Sequence, residues 1–178
     1  MRKILGGSMA ALLALSIAAA PALAANGAKP GSDSIVDIVL VNDGEFDVLQ
    51  AAVIKAGLAD ALSGNRQYTV FAPTDAAFVA TFRHLLGDNG LTEGDVIDFI
   101  DAGGVDSAFG DGALADILLY HVTNGRRIST SVVAAPGYAM LNGQRLSRSE
   151  LVSAGIEATD ISASNGVIHV IGSVLLPF

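Results

Sequence analysis

The sequence predicts an α+β fold, and three observations support this. Apolar residues recur at helical spacing as far as about residue 120. One early run of β-branched and aromatic residues, Tyr68–Phe71, reads as a strand within this helical part. After residue 120 the chain consists of short apolar runs separated by Asn-Gly pairs, which favour tight hairpins. Helices followed by a mainly antiparallel sheet system, without regular alternation, are typical of α+β proteins.

The size and composition are those of one globular domain with a hydrophobic core. The chain has 178 residues, of which 51% are hydrophobic and 16% are charged, and this balance favours a folded globule over disorder. It contains no cysteine. That composition excludes disulfides, iron–sulfur clusters, thiolate zinc sites, a cysteine nucleophile and a lipid anchor attached to cysteine.

The first 25 residues have the features of a secretory signal peptide. A basic start, Arg2 and Lys3, precedes an apolar run over residues 4–20. The Ala-Leu-Ala sequence that ends at Ala24 matches an A-x-A cleavage site, so we expect cleavage after that residue. The run is short for a membrane span, which favours cleavage over an uncleaved anchor or a buried first helix. The mature protein is therefore predicted to be secreted or periplasmic, with no membrane insertion after cleavage, and its design fits a bacterial host.

The predicted mature chain is strongly acidic. Cleavage would remove Arg2 and Lys3 from the ten basic residues and leave eight against eighteen acidic ones, a net charge of −10. Such a chain is not expected to bind nucleic acid or anionic lipid. The one basic concentration consists of four arginines: Arg126, Arg127, Arg145 and Arg148. A solvated face in a turn-rich region is favoured over an anion site for these four side chains.

The mature chain is predicted to begin with a flexible linker over residues 26–33, followed by a single domain over residues 34–178. The linker is rich in Gly, Pro, Ser and Asp. Ser34 is a candidate N-cap for a first helix, and further amphipathic helices are predicted as far as about Leu62.

The strand Tyr68–Phe71 leads into a sharp corner. Pro73 removes a backbone donor and prevents the strand from continuing. Thr74 or Asp75 can then cap a helix predicted over Asp75–His84.

Leu86–Gly112 is rich in aspartate and glycine and allows two interpretations. One is a calcium-binding loop, because carboxylate oxygens are plentiful. However, Asp88-Asn89-Gly90 is not followed by ligands at the spacing of an EF-hand. This favours the other interpretation, a solvated acidic loop and a helix capped by Thr92.

Leu114–Val122 is predicted to be a helix that turns into a strand, with Tyr120 and His121 at the transition. Further strands are predicted at Arg127–Val133, Tyr138–Leu141, Arg145–Leu146, Leu151–Ile156, Asp160–Ala163 and Val167–Leu175. Asn-Gly pairs that begin at Asn124, Asn142 and Asn165 are the predicted hairpin turns.

Three blocks of the sequence carry a resemblance to a known family: TVFAPTDAAF (Thr69–Phe78), LLYHV (Leu118–Val122) and ASNGVIHVIGSVLLP (Ala163–Pro177). Together with SIVDIV before them and LNGQ between the last two, they follow the order found in the fasciclin-domain family. The resemblance implies a wedge of two β-sheets with several helices packed along one side. It also implies that the first and last blocks form neighbouring strands. The chain departs from the family at Gly172, where an acidic residue is usual.

Tyr120, His121 and Asp75 are the candidate interaction residues. The resemblance links the Tyr-His pair to cell adhesion, as in animal members of the family. A buried histidine needs a partner for each ring nitrogen, and Asp75 or Thr74 is the predicted partner of His121. A structural role and direct contact with a receptor both remain open for this pair. His169, in a strand with two covered faces, is predicted to be a core histidine with satisfied hydrogen bonds.

No catalytic, cofactor-binding or metal-binding residue is predicted, because the histidines lack short ligand spacings and no nucleophile elbow is present. The first hypothesis is an exported, non-catalytic fasciclin-type module that mediates cell adhesion or binds an extracellular protein or matrix partner. The alternative is a small-molecule or calcium-binding protein outside the cell. Its site would be Leu86–Gly112 or a groove beside Tyr120.

Overall fold

A computed structural model describes residues 31–41 and 44–177. The predicted signal peptide and residues 26–30 of the predicted linker lie outside the described residues. The described part of the chain contains nine helices: α1 (Ile35–Val39), α2 (Asp47–Lys55), α3 (Ala59–Ser63), α4 (Asp75–Leu86), α5 (Glu93–Asp101), α6 (Gly104–Phe109), α7 (Ala113–Tyr120), α8 (Ser129–Ala134) and α9 (Arg148–Ser153). The same residues form six strands: β1 (Tyr68–Pro73), β2 (Val122–Asn124), β3 (Gly137–Ala139), β4 (Arg145–Ser147), β5 (Ile156–Ala163) and β6 (Gly166–Ile171).

The main sheet has four strands in the order β2-β1-β6-β5. β1 and β6 run parallel at its centre, with Thr69 opposite Val167 and Phe71 opposite His169. β2 and β5 flank them in antiparallel orientation. The expectation that the first and last sequence blocks form neighbouring strands is therefore confirmed.

A smaller sheet pairs β3 with β4, and the Asn-Gly pair that begins at Asn142 lies in the turn between them. A single bridge between Thr123 and Met140 joins this hairpin to β2. The two sheets and the packed helices confirm the predicted α+β class. The hairpin predicted at Asn165 is also present, between β5 and β6, although its turn consists of Ser164 and Asn165 and Gly166 is already paired in β6.

Two predicted strands are helices instead. Leu151–Ile156 overlaps α9, because the side chains of Ser147 and Glu150 form a capping box that begins a helix there. Arg127–Val133 overlaps α8, whose last carbonyls accept hydrogen bonds from the Tyr138 hydroxyl. Apolar runs this short do not distinguish a helix from a strand by periodicity alone.

Several predicted helix starts are confirmed by their caps. The side chains of Ser34 and Thr92 form capping boxes at α1 and α5. The Thr74 side chain accepts a hydrogen bond from the backbone N–H of Ala77 and begins α4, which continues past the predicted end to Leu86. Residues 31–33 contact the β5–β6 hairpin, since the carbonyl of Asp33 accepts a hydrogen bond from the backbone N–H of Ser164 in its turn.

The buried side chains form two clusters on either side of the main sheet. The larger cluster fills the space between helices α1–α7 and the sheet, with Val70 and Ile168 among its members. The smaller cluster lies between the sheet and the β3–β4 hairpin, and it contains Phe71, Tyr120 and Leu146. Burying each large apolar side chain contributes about 1.5–3 kcal/mol. Of the predicted site residues, Tyr120 belongs to the smaller cluster, and His121 lies beside Leu118 and Val122 of the larger one.

Candidate functional site

Asp75 holds two helices together. It follows the cap residue of α4 and is only 6% exposed. Its carboxylate accepts hydrogen bonds from the backbone N–H groups of Asp47 (3.1 Å) and Val48 (2.9 Å). These are the first N–H groups of α2, whose own N-cap, Phe46, offers no side-chain acceptor. Asp75 therefore caps α2 from a different segment of the chain.

His121 ends α7 and is held entirely by backbone groups. Its Nδ1 lies 2.7 Å from the carbonyl oxygen of Ile117, and its Nε2 accepts a hydrogen bond from the backbone N–H of Leu175 at 2.9 Å. This arrangement requires a proton on Nδ1 and a neutral ring. Burial lowers the pKa of His121 to about 4, against a smaller opposing effect of the hydrogen bond to Ile117.

The predicted contact between His121 and Asp75 or Thr74 is wrong. Both ring nitrogens of His121 are occupied by other groups, and the Asp75 carboxylate serves α2. The prediction that a buried His121 has a partner at each nitrogen is confirmed. Sequence reasoning missed the partners because both are backbone groups, and neither has a side-chain signal.

Tyr120 is buried, with 3% of its surface exposed, and packs in the smaller cluster. Its hydroxyl lies 3.5 Å from the carbonyl oxygen of Arg145, a long hydrogen bond. Burial raises its pKa, and the carboxylate of Glu150 adds to this effect. Beside the ring lies a groove of about 250 Å³, which Leu146, Glu150 and Ser173 help to line. The groove is thus the accessible feature at this position, and the tyrosine is part of its wall.

His169 is a core histidine with satisfied hydrogen bonds, as predicted. Its Nδ1 accepts a hydrogen bond from the backbone N–H of Asp160 (3.3 Å), and its Nε2 lies 2.9 Å from the carbonyl oxygen of Arg127. The ring stacks on Phe71 with the centroids 5.8 Å apart. Burial lowers the pKa of His169, and this effect outweighs the opposing effects of Arg127 and Asp160.

Three carboxylates that are distant in sequence meet beside α2. Asp47, Asp75 and Glu93 each place one oxygen within 4.8 Å of the others. Oδ1 of Asp47 is buried and has no hydrogen-bond partner among the residues that the structure describes. Desolvation raises the pKa of Glu93, and the charges of Asp75 and Asp47 raise it further. These are the residues that could hold a divalent cation, since carboxylate oxygens suit Ca²⁺ and Mg²⁺.

This carboxylate trio differs from the calcium loop considered in the sequence. Only Glu93 comes from Leu86–Gly112, and the other two members come from α2 and α4. No spacing rule joins positions 47, 75 and 93, so the sequence carries no signal for the trio.

A cleft of about 500 Å³ lies next to Asp75 and Glu93, and Arg83 and Glu157 also line it. Glu157 lies beside Gly172, the position at which the family usually has an acidic residue. A Cβ atom added to Gly172 would lie 2.7 Å from a carboxylate oxygen of Glu157. A carboxylate from the neighbouring strand therefore occupies the space beside this glycine.

Comparison with known proteins places the chain among its relatives. The model of the Fasciclin domain matches residues 44–177. Protein sll1483 of Synechocystis is 35% identical over 160 residues, which cover 84% of this chain and 78% of that protein. Transforming growth factor-beta-induced protein ig-h3 of Sus scrofa is 34% identical over 154 residues, which cover 83% of this chain but only 20% of ig-h3.

Among solved structures, a FAS1 domain pair from the insect cell adhesion molecule fasciclin I matches with a TM-score of 0.52 and 16% identity. The match covers 83% of this chain and 51% of the insect chain. At this identity the likeness concerns the fold alone.

Proposed function

The chain belongs to the fasciclin-domain family, and from this membership we propose that it is an exported, non-catalytic module that binds a protein or matrix partner outside the cell. The observation that carries the proposal is the family match over residues 44–177, which takes in both sheets and the Tyr120-His121 junction. The insect structure with the same fold comes from a cell adhesion molecule. We therefore propose that binding by this chain also serves adhesion.

The state of the two buried histidines supports a non-catalytic role for them. A general base needs a ring nitrogen that can reach a substrate proton. The nitrogens of His121 and His169 are all bound to backbone groups. Both rings are also buried. Neither side chain is positioned to exchange a proton with a bound molecule.

Export is proposed from the signal-peptide pattern at the start of the sequence. Within residues 31–41 and 44–177, no helix has the length and hydrophobicity needed to cross a membrane. We propose that cleavage after Ala24 releases a mature protein in which residues 26–33 precede a single domain over residues 34–178. This protein would be secreted or periplasmic and would bind neither nucleic acid nor lipid.

We assign Tyr120, His121 and Asp75 a positioning role within this function. All three are at most 6% exposed, so a partner would meet the surface that they support. His121 fixes Leu175, Tyr120 forms the wall of the groove, and Asp75 fixes the start of α2. The groove beside Tyr120 is then part of the surface whose shape depends on them.

Deletion of the gene tests the proposed function. Cells of the producing organism that lack the gene should attach less to a surface, and re-expression of the full chain should restore attachment. Re-expression without residues 1–25 should not restore it, because that protein would stay inside the cell. Unaltered attachment after deletion would contradict the adhesion proposal.

The alternative function, binding of calcium or a small molecule, has one specific observation in its favour, the carboxylate trio with its unpartnered Asp47 oxygen. A calcium-binding protein would melt at a higher temperature when calcium is added. Replacement of Glu93 by Gln would remove that increase. A melting temperature that calcium and chelator leave unchanged would eliminate the calcium form of this alternative.

A further inference from the structure

Three positively charged side chains of the described residues are used to hold the chain together. Lys55 donates to the carbonyl oxygen of Asp101. Arg83 donates to that of Leu91 through two nitrogens. Arg126 donates to the carbonyls of Ala163 and Gly166. Such bonds to backbone oxygens fix segments of the fold and leave these side chains little freedom to bind a partner.

Arg127, Arg145 and Arg148 differ from those three. They are exposed, and within the described part of the chain none of their side chains makes a hydrogen bond or an ion pair. Their backbones are tied into the fold. The N–H of Arg127 donates to the Thr69 hydroxyl, and that of Arg148 donates to the carbonyl of Pro136. Fixed main chains thus carry charged groups that have no hydrogen-bond or ion-pair partner among residues 31–41 and 44–177.

All three arginines surround one short segment, Pro136–Tyr138, and we call them the arginine patch. The guanidinium of Arg127 lies over the Tyr138 ring, 5.2 Å from its centroid, which orients it by a cation–π contact. Arg145 lies beside Gly137, where an added Cβ would come within 3.2 Å of its Nε. The charges of Arg127 and Arg148 both act to lower the pKa of Tyr138, although burial raises it more.

The carboxylates of Glu150 and Asp160 are hydrogen-bonded to groups other than the three arginines. The carboxylate of Glu150 accepts a hydrogen bond from the backbone N–H of Ser147 at 2.7 Å, as part of the α9 cap. The carboxylate of Asp160 accepts from the backbone N–H and the hydroxyl of Ser129. Neither carboxylate makes an ion pair with the three guanidinium groups within the described part of the chain, so these groups stay open to an external anion.

We propose that the arginine patch binds the repeated carboxylate or sulfate groups of an acidic polysaccharide outside the cell. This inference rests on the proposed function and names the partner class. Guanidinium groups match such oxyanions with paired hydrogen bonds. The patch lies on the surface and lines neither of the clefts described above, so it suits a charged polymer better than a small enclosed anion.

A polymer also fits better than a second copy of this chain. Neighbouring residues of a strand point to opposite faces, so Arg127 at Tyr138 and Arg145 at Gly137 spread the charge around the hairpin. An extended polymer can meet such groups one after another. A second copy would bring its own three arginines against this patch, and like charges repel.

Binding to immobilised heparin and alginate tests the proposal, with the full exported protein at about 50 mM salt. Heparin presents sulfate groups and alginate presents carboxylates alone, so the pair identifies the preferred oxyanion. Arg148→Gln and Arg145→Gln should each weaken binding about three- to tenfold, and added salt should weaken it further. Lys55→Gln removes the same charge on α2 and should leave binding unchanged.

Arg127→Gln also removes the contact with Tyr138, so its melting temperature must be measured, and Arg148→Gln keeps the test valid if that variant is unstable. Failure of the wild-type protein to bind either polymer would overturn the proposal. Equal binding of the polymers by wild type and the arginine variants would also overturn it. A third contradicting result would be a protein that binds no polymer but self-associates in sedimentation experiments, with the self-association abolished by Arg148→Gln.

The outcomes separate this inference from the proposed function. Polymer binding that depends on the arginines, together with normal attachment of cells lacking the gene, would support the site and contradict the adhesion role. Lost attachment without polymer binding would support the adhesion role and overturn this inference.

Discussion

His121 is a buried polar side chain whose environment sets its charge. Its two nitrogens join the carbonyl of Ile117 to the backbone N–H of Leu175 and so connect α7 to the segment after β6. A proton added at Nε2 would leave two donors facing each other. The neutral ring is therefore part of the folded state, and the stability of the protein depends on pH.

We predict that the free energy of unfolding falls as the pH drops from about 6.5 towards 4. The folded state lowers the pKa of His121 to about 4, so below pH 6.5 the unfolded chain binds the additional proton. Stability then decreases with falling pH, by about 3 kcal/mol over the whole interval. Denaturant titrations at several pH values measure this slope. His121→Gln should reduce it, whereas His84→Gln, at an exposed site, should not.

Asp75 is predicted to stabilise the protein through α2. Asp75→Asn keeps the size of the side chain but weakens its hydrogen bonds to the backbone N–H groups of Asp47 and Val48. We expect a loss of about 1–2 kcal/mol in the free energy of unfolding, as for other helix caps. Asp88→Asn, at an exposed acceptor for Gly90, is the matched control and should change stability by less than about 0.5 kcal/mol. Equal stability of both variants would show that Asp75 does not cap α2.

At the scale of elements, the predictions succeeded where local chemistry decides the structure. Capping residues such as Thr92 begin their helices, and Asn165 is the second residue of the hairpin turn between β5 and β6. The Asn-Gly pair at Asn124 forms no hairpin, because the backbone N–H of Gly125 donates to Gln67 beside β1. The α8 and α9 regions were assigned wrongly because their apolar runs are short, and tertiary contacts such as the Tyr138 hydroxyl favour a helix.

Because β1 and β6 pair closely, we predict that Gly166 does not tolerate a side chain. A Cβ atom there would lie 2.1 Å from the carbonyl oxygen of Tyr68 and 2.6 Å from Cδ1 of Ile35. Gly166→Ala should therefore separate the strands and cost about 2–4 kcal/mol. Gly64→Ala, in open space without a positive φ, should be nearly neutral. Thermal unfolding of the two variants compares them, and equal melting temperatures would contradict the described strand pairing.

At the scale of the whole molecule, the sequence predicted the family and the class of fold but little of the site. The blocks that carry the resemblance are also the central strands and the α7–β2 junction, so they predict the framework. The carboxylate trio joins residues that are distant in sequence, and its formation depends on packing between elements, which no local spacing encodes. The members of the arginine patch do belong to the one basic concentration of the sequence, but their arrangement around Tyr138 again depends on packing.

The buried positions of the site residues are compatible with a function that depends on binding at the surface. Tyr120 and His121 lie where the smaller core meets the main sheet, and they hold the segment that contains Leu175. Loss of either side chain would weaken the fold beneath the surface without removing a surface group. Stability should therefore fall more than attachment per folded molecule.

The central claim is that the Tyr120-His121 pair supports the binding surface from inside a module that works by contact. The most direct measurement is the number of cells attached to a surface coated with wild-type or His121→Ala protein, counted per folded molecule. We predict a melting temperature lower by roughly 5–10 °C for His121→Ala and nearly equal attachment per folded molecule at a temperature where both are folded. An unchanged melting temperature with lost attachment would contradict the claim and would make His121 a direct contact.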